Sequence, residues 1–139
     1  MTPLERITER VNRLGHPDVP GTPTPLVTVE EFFDGNAEVG SIGCNLDSTP
    51  SPQQFHAVFL AIAKRPDVRD IRVQITMFDV PEWPFTDTVY IMTSASPDEV
   101  ESWFPEELKP DETWIGFVDQ AYEPYVVPAG TQAVACWWD

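Results

Sequence analysis

The chain has 139 residues, enough for one hydrophobic core, and its 42% hydrophobic and 22% charged residues exclude a disordered polymer. Eight Lys and Arg against 23 Asp and Glu leave a net charge of −15. That charge repels phosphate backbones and anionic lipid surfaces, so nucleic acid and membrane are not expected partners.

The first residues, Met1-Thr2-Pro3-Leu4-Glu5-Arg6, lack an apolar core segment and predict no signal peptide. Thr2 and Glu5 form a T-x-x-E capping box with Pro3 at the first helical position. Leu4, Ile7, Val11 and Leu14 make one apolar stripe, so a first helix is predicted up to Gly15. Pro17, Pro20, Pro23 and Pro25 mark an extended strap rather than a domain boundary, because one short helix cannot fold alone. A single domain over 1–139 is the reading. Residues 26–33 carry two signals. Val27, Val29 and Phe33 alternate as in a strand, which is favoured, while Thr28 and Glu31 form a second capping box. After the Asp34-Gly35-Asn36 turn, Ile42, Cys44 and Leu46 alternate and predict a strand over 41–46.

The second helix is announced by Ser51, Pro52 and Gln54, buries Phe55, Val58, Phe59 and Ile62, and stops at Pro66. It contains the longest apolar run, Ala57 to Ala63, which is far too short to span a bilayer. A strand follows with Ile71, Val73, Ile75 and Met77 on one face, and another over 86–93. Ser96-Pro97-Asp98-Glu99 opens a third helix with Val100, Trp103 and Phe104 inward. Residues 106–130 read as irregular and acidic, with a short strand at 114–118, and the last strand covers 131–138.

From Ser41 onward this order is the split βαβ order of ferredoxin-like folds. The predicted class is therefore α+β: a mostly antiparallel sheet, the second and third helices on one face, and an extra N-terminal helix. A five- or six-stranded antiparallel α+β sheet without the split order is the alternative. The helix-covered face would hold Ile42, Cys44, Leu46, Ile71, Val73, Ile75, Met77, Val89, Ile91, Val134 and Cys136. The other face, with Arg72, Gln74, Tyr90, Met92 and Trp137, is mixed and needs partial cover from a connector, the first helix or a partner.

No motif for catalysis, phosphate binding or metal stands out. Cys44 and Cys136 form no disulfide framework and read as free, buried thiols in a cytoplasmic protein. Two histidines and two core cysteines do not make a zinc site. Asp34 to Glu38 fails the calcium-loop pattern, since the sixth and twelfth positions are Val39 and Asn45. No metal or cofactor is expected.

Charge and aromatics are the two unusual features. Residues 1–72 hold ten acids and seven bases; residues 73–139 hold thirteen acids and one base, Lys109. A field this one-sided either solvates the chain or steers a basic protein partner. Arg6, Arg10 and Arg13 on the first helix either dock against the acidic half or are solvated. Trp83-Pro84-Phe85 lies in a connector, where it either folds back over the open sheet face, the favoured reading, or forms an exposed anchor.

Two functional readings follow. The first is a non-enzymatic acidic binding module, with Glu106, Glu107, Asp111, Glu112, Trp83 and Phe85 as its contact residues. The second is a small-molecule-binding or catalytic domain whose pocket on the open face is lined by Arg72, Gln74, Tyr90 and Trp137, with Asp87 at the rim. The stretches Phe32-Phe33-Asp34-Gly35-Asn36, Gly40-Ser41-Ile42-Gly43-Cys44-Asn45-Leu46, Trp83-Pro84-Phe85-Thr86-Asp87-Thr88 and Trp137-Trp138-Asp139 resemble a group of small acidic bacterial proteins with no established activity. The resemblance covers about residues 25–139 and carries over no catalytic residue. In size, acidity and cytoplasmic character the chain is also similar to immunity proteins that neutralise toxins, which implies inhibition of a basic partner.

Overall fold

The computed structural model describes residues 1–139. Its helices start where side chains satisfy the first free backbone N–H groups. In α1 (Pro3–Val11), α2 (Val29–Phe33) and α3 (Pro52–Ala63), the capping residues Thr2, Thr28 and Ser51 accept from the N–H groups of Glu5, Glu31 and Gln54. Each of those three residues returns its own side chain to the cap backbone. In α4 (Pro97–Glu101), Ser96 accepts from the N–H of Glu99. A 3-10 turn spans Glu106–Leu108.

The strands are β1 (Leu26–Thr28), β2 (Val68–Gln74), β3 (Thr88–Thr93), β4 (Glu112–Ile115) and β5 (Gln132–Trp137). They form one sheet in the order β1-β2-β3-β5-β4, with every neighbour antiparallel. The α+β class and the mostly antiparallel sheet hold, and so do the placement of α3 and α4 over one face and the extra N-terminal helix. The split βαβ order does not form; the alternative arrangement does. Two local outcomes explain the difference.

Residues 26–33 honour both of their signals, with three residues of strand and then a helix, because the Thr28–Glu31 capping box ends the strand at Thr28. The strand expected at 41–46 is absent, and bends and turns replace it. Gly40 and Gly43 take φ of 92° and 65°, which breaks the extended backbone. A Cβ on Gly43 would lie 2.7 Å from the Phe55 ring, so this turn packs directly under α3. The alternation of Ile42, Cys44 and Leu46 therefore has no strand beneath it. Ile42 is buried, Leu46 is half-buried and Cys44 faces solvent.

One core lies between the helices and the sheet. Ile7 and Val11 of α1, Phe55, Phe59 and Ile62 of α3, and Val100 of α4 meet Val73, Val89, Ile91, Val134 and Cys136. Phe59 stands edge-on to Phe104 and Trp138, with centroids 5.8 and 6.3 Å apart. On the opposite face Leu26, Tyr90, Met92, Ala133 and Ala135 are covered by Trp114, Phe117, Tyr122, Tyr125 and Val127. The irregular acidic segment is thus the lid of the second face.

Phe59 is fully buried, whereas Leu60 is exposed on the next position of α3. Phe59→Ala is expected to cost about 3–5 kcal/mol in urea unfolding, and Leu60→Ala about 0.5 kcal/mol or less. The cysteines should separate in the same way. Thiol titration of the native protein should find Cys44, and Cys136 should react only after denaturation, since burial pushes its thiol pKa well up.

Candidate functional site

The aromatic connector is not an exposed anchor. Trp83 is buried in the main core and its Nε1 donates to the Phe32 carbonyl at 3.0 Å. The half-buried Phe85 pairs its backbone with Met77. The connector closes the helix side of the sheet rather than folding over the open face, because Trp83 needs a carbonyl acceptor and finds one at the end of α2.

The pocket expected on the open face is filled. Gln74 and Tyr90 are buried there, with the Tyr90 hydroxyl donating to Gln74 Oε1 at 2.6 Å and accepting from the Val118 N–H at 2.9 Å. The Phe117 ring lies over Tyr90, 4.7 Å between centroids, and stacks on Tyr122 at 4.3 Å. Asp87 accepts from the hydroxyls of Thr76 and Thr88 at 2.7 and 2.9 Å. Arg72 donates to Asp70 at 3.0 Å and to the Leu26 carbonyl at 3.3 Å, and lies over the Tyr125 ring. Trp137 is half-buried on the end of β5. The five residues serve the lid and the sheet rather than an open cavity.

A polar node fastens that lid to the N-terminal half. Arg10, with only 9% of its side chain exposed, donates to Glu31 at 2.9 Å, to Glu123 at 2.8 Å and to the Leu26 carbonyl at 3.2 Å. Glu123 also accepts from the Leu26 N–H. Beside it Thr24 and the lid exchange backbone hydrogen bonds, Thr24 N–H to Ala121 and Glu123 N–H to Thr24, at 3.0 and 2.9 Å. Tyr125 donates to Asp70 at 2.6 Å. Of the two roles open to the first-helix arginines, Arg10 takes docking against the acidic half. Sequence reading missed Glu123 as its partner, and missed the separate Tyr125–Asp70 bond beside it; no local pattern marks either.

Arg6 pairs with Asp34 at 3.3 Å. Arg6, Arg10 and Arg13 face Glu30, Glu31 and Asp34 across a cleft of about 690 Å³ between α1 and α2. Glu9 lines it as well, and of the three arginines Arg6 and Arg10 form ion pairs.

The acidic contact residues behave differently. Glu106, Glu107, Asp111 and Glu112 are all exposed, the first two on the 3-10 turn and the last opening β4. The carboxylates of Glu106, Glu107 and Glu112 take no part in the fold's hydrogen bonds or ion pairs, whereas Asp111 accepts from the Asp139 N–H at 2.7 Å. α4 packs against β4 and brings Asp98, Glu99 and Glu101 to the same end of the molecule. From 98 to 112 there are seven acids and one base, Lys109, a net of −6. No three His, Cys, Asp or Glu side chains gather as metal ligands would.

Over residues 2–136 the sequence matches the Uncharacterized protein YfbO family. The chain belongs to this family. It is similar to the Uncharacterized protein YfbO of Escherichia coli (strain K12), 49% identical over 140 residues that cover all of both chains. The resemblance to an uncharacterised bacterial group is thereby shown. No solved structure matches the chain. No helix is long and apolar enough to cross a membrane.

Removing Arg10 should strand two carboxylates near the Leu26 backbone. Arg10→Ala is expected to cost about 3 kcal/mol in urea unfolding, and Glu123→Gln less, because the amide oxygen still accepts from Leu26. The lid also sets an alkaline limit. Burial pushes the Tyr90 hydroxyl up to about 12, and Tyr125 is also raised by burial and by its hydrogen bond to Asp70. A raised phenol favours the folded state below the ordinary tyrosine pKa of about 10 and loses that advantage as pH climbs through the folded value. Unfolding free energy measured from pH 9 to 12 should therefore fall, with the absorbance change of these two tyrosines delayed until the protein opens.

Proposed function

We propose that the chain is a non-enzymatic protein-binding module that acts in the cytoplasm and presents residues 98–112 to a basic partner protein. The observation that carries this reading is the exposed, unengaged set Glu106, Glu107 and Glu112, together with Asp111, in a stretch from 98 to 112 that holds seven acids and one base; Arg65 also reaches this end, its guanidinium 3.9 Å over the Trp103 ring. Five acids elsewhere are paired with arginines, Glu31 and Glu123 with Arg10, Asp34 with Arg6, Asp67 with Arg65 and Asp70 with Arg72, and Asp87 is held by threonine hydroxyls. The carboxylates of Glu106, Glu107 and Glu112 make no bond inside the fold, and a field of this sign accelerates encounter with a cation-rich surface. Immunity-type inhibition of a basic partner is the specific form, supported by small size and acidity.

The test compares proteins captured from the native cell by the wild-type chain and by Glu106→Lys/Glu107→Lys, followed by surface-plasmon kinetics on the captured partner. The partner should be basic, and its on-rate should fall steeply between 0.1 and 1 M salt, as the screening length drops from about 10 to 3 Å, while the off-rate changes less. The double reversal should slow association and move stability by no more than about 0.5 kcal/mol. An on-rate indifferent to salt and to the reversal overturns the reading.

A further inference from the structure

The two edges of the sheet are treated differently. In an antiparallel ladder, alternate residues turn their N–H and C=O toward the neighbouring strand, and the residues between turn them away. The Ile75 N–H donates to Pro25, and Val27 stands opposite Val73, so Leu26 and Thr28 turn outward from β1. Side chains take those groups: Glu123 receives the Leu26 N–H, Arg10 and Arg72 donate to the Leu26 carbonyl, and Glu31 receives the Thr28 N–H. The β1 edge is sealed.

The β4 edge is open. The Gly116 N–H donates to Ala133, and Trp114 stands opposite Ala135, so Thr113 and Ile115 turn outward. No side chain, loop or helix end hydrogen-bonds their N–H or C=O groups; the one polar contact of Thr113 is its hydroxyl donating to the Pro97 carbonyl at 3.2 Å. Ile115 is 52% exposed and Val118, just beyond it, is 49% exposed. Unpaired edges invite another strand, and charge on the edge selects which strand is admitted. Here Asp111 and Glu112 lead into β4 and the acidic 3-10 turn precedes them. A second copy carries the same net charge of −15 and is repelled as a whole. A cationic strand meets complementary charge instead, through cross-strand pairs of opposite sign.

We propose that the outer edge of β4 is a strand-addition site for an extended segment, rich in Lys or Arg, of the basic partner. This deepens the reading above and rests on it. Backbone bonds from Thr113 and Ile115 supply affinity, Ile115 and Val118 offer apolar contact, and Glu112 supplies the charge selection.

The probe is the peptide acetyl-Lys-Val-Lys-Val-Lys-Val-Lys-amide, added to the full-length, ¹⁵N-labelled protein, with a control peptide N-methylated at alternate residues on each edge in turn. In the free protein the Thr113 and Ile115 amides should exchange with solvent fast and Trp114 slowly. The peptide should slow Thr113 and Ile115 on the order of tenfold or more, and N-methylation of the paired edge should abolish this. Ile115→Pro removes an N–H that folding does not use, so it should keep the native spectrum and lose peptide binding. Should that variant unfold, the N-methylated peptides on the wild-type protein decide alone. Salt-sensitive binding that leaves Thr113 and Ile115 unprotected, or that survives methylation of both edges, overturns strand addition while the acidic surface stands. Absence of binding up to millimolar peptide overturns strand addition, and the acidic surface is then judged by its own charge-reversal kinetics. Protection of both amides in the free protein, with sedimentation as a dimer, overturns it in favour of a second copy.

Discussion

One arginine holds the architecture together. Arg10 reaches from α1 to Glu31 at the start of α2, to Glu123 in the lid and to the backbone of β1. Burying a guanidinium costs several kcal/mol, and the pair contributes little net stability by itself. What it supplies is uniqueness. Leu26 has an outward N–H and C=O, and Glu123 and Arg10 arrive from opposite ends of the chain to satisfy them. Without both, the Leu26 N–H would lose its acceptor and its carbonyl would keep Arg72 alone, and the lid would be held along β1 by the Thr24 backbone bonds. The node therefore couples three separate acts of folding: docking of the first helix, closure of one sheet edge, and cover for the second face.

That coupling marks the boundary of what the sequence made legible. The helix starts were readable because a capping box is a contact across three residues: the T/S-x-x-E/Q boxes at 2–5, 28–31 and 51–54 formed in full, while at 96–99 Ser96 accepts from the Glu99 N–H without the return bond. The main core was readable because Ile71, Val73, Val89, Ile91, Val134 and Cys136 alternate in strands. At 41–46 the same alternation misled, since glycines at positive φ turned the segment under Phe55. Period two shows which residues could share a face and says nothing about whether the backbone can stay extended. At 28–31, alternation and capping competed, and capping won because it satisfies backbone groups that three residues of strand leave free.

The candidate site divides along the same line. Glu106, Glu107, Asp111 and Glu112 were legible as surface, because a run of like charge after Pro105 has no buried solution. Trp83 was misleading as an anchor, since a tryptophan in a connector can reach inward as easily as outward, and the carbonyl of Phe32 decides it. Arg72, Gln74, Tyr90 and Asp87 were placed near one another correctly, yet the space before them belongs to Phe117, Tyr122 and Tyr125, about thirty or more residues further along. Long-range cover of this kind leaves no periodic trace in an irregular segment.

The distribution of ion pairs gives the acidity its meaning. If the excess of acid served only solubility, it could be spread over any exposed position with equal effect. Instead, the bases sit mostly before residue 73, where Arg6, Arg10, Arg65 and Arg72 match local acids, and the lid sends Glu123 back to join them. Of what remains beyond that balance, the densest run lies around α4, the 3-10 turn and β4, partly relieved by Lys109, 4.0 Å from Glu101, and by Arg65 over the Trp103 ring. The unrelieved field thus coincides with the one strand edge whose outward backbone groups have no partner. A protein that seals β1 with four charged side chains has the means to seal an edge. At β4 it leaves the backbone open beside a stretch of seven acids and one base, and that contrast between the two edges is what the proposed strand-addition site rests on.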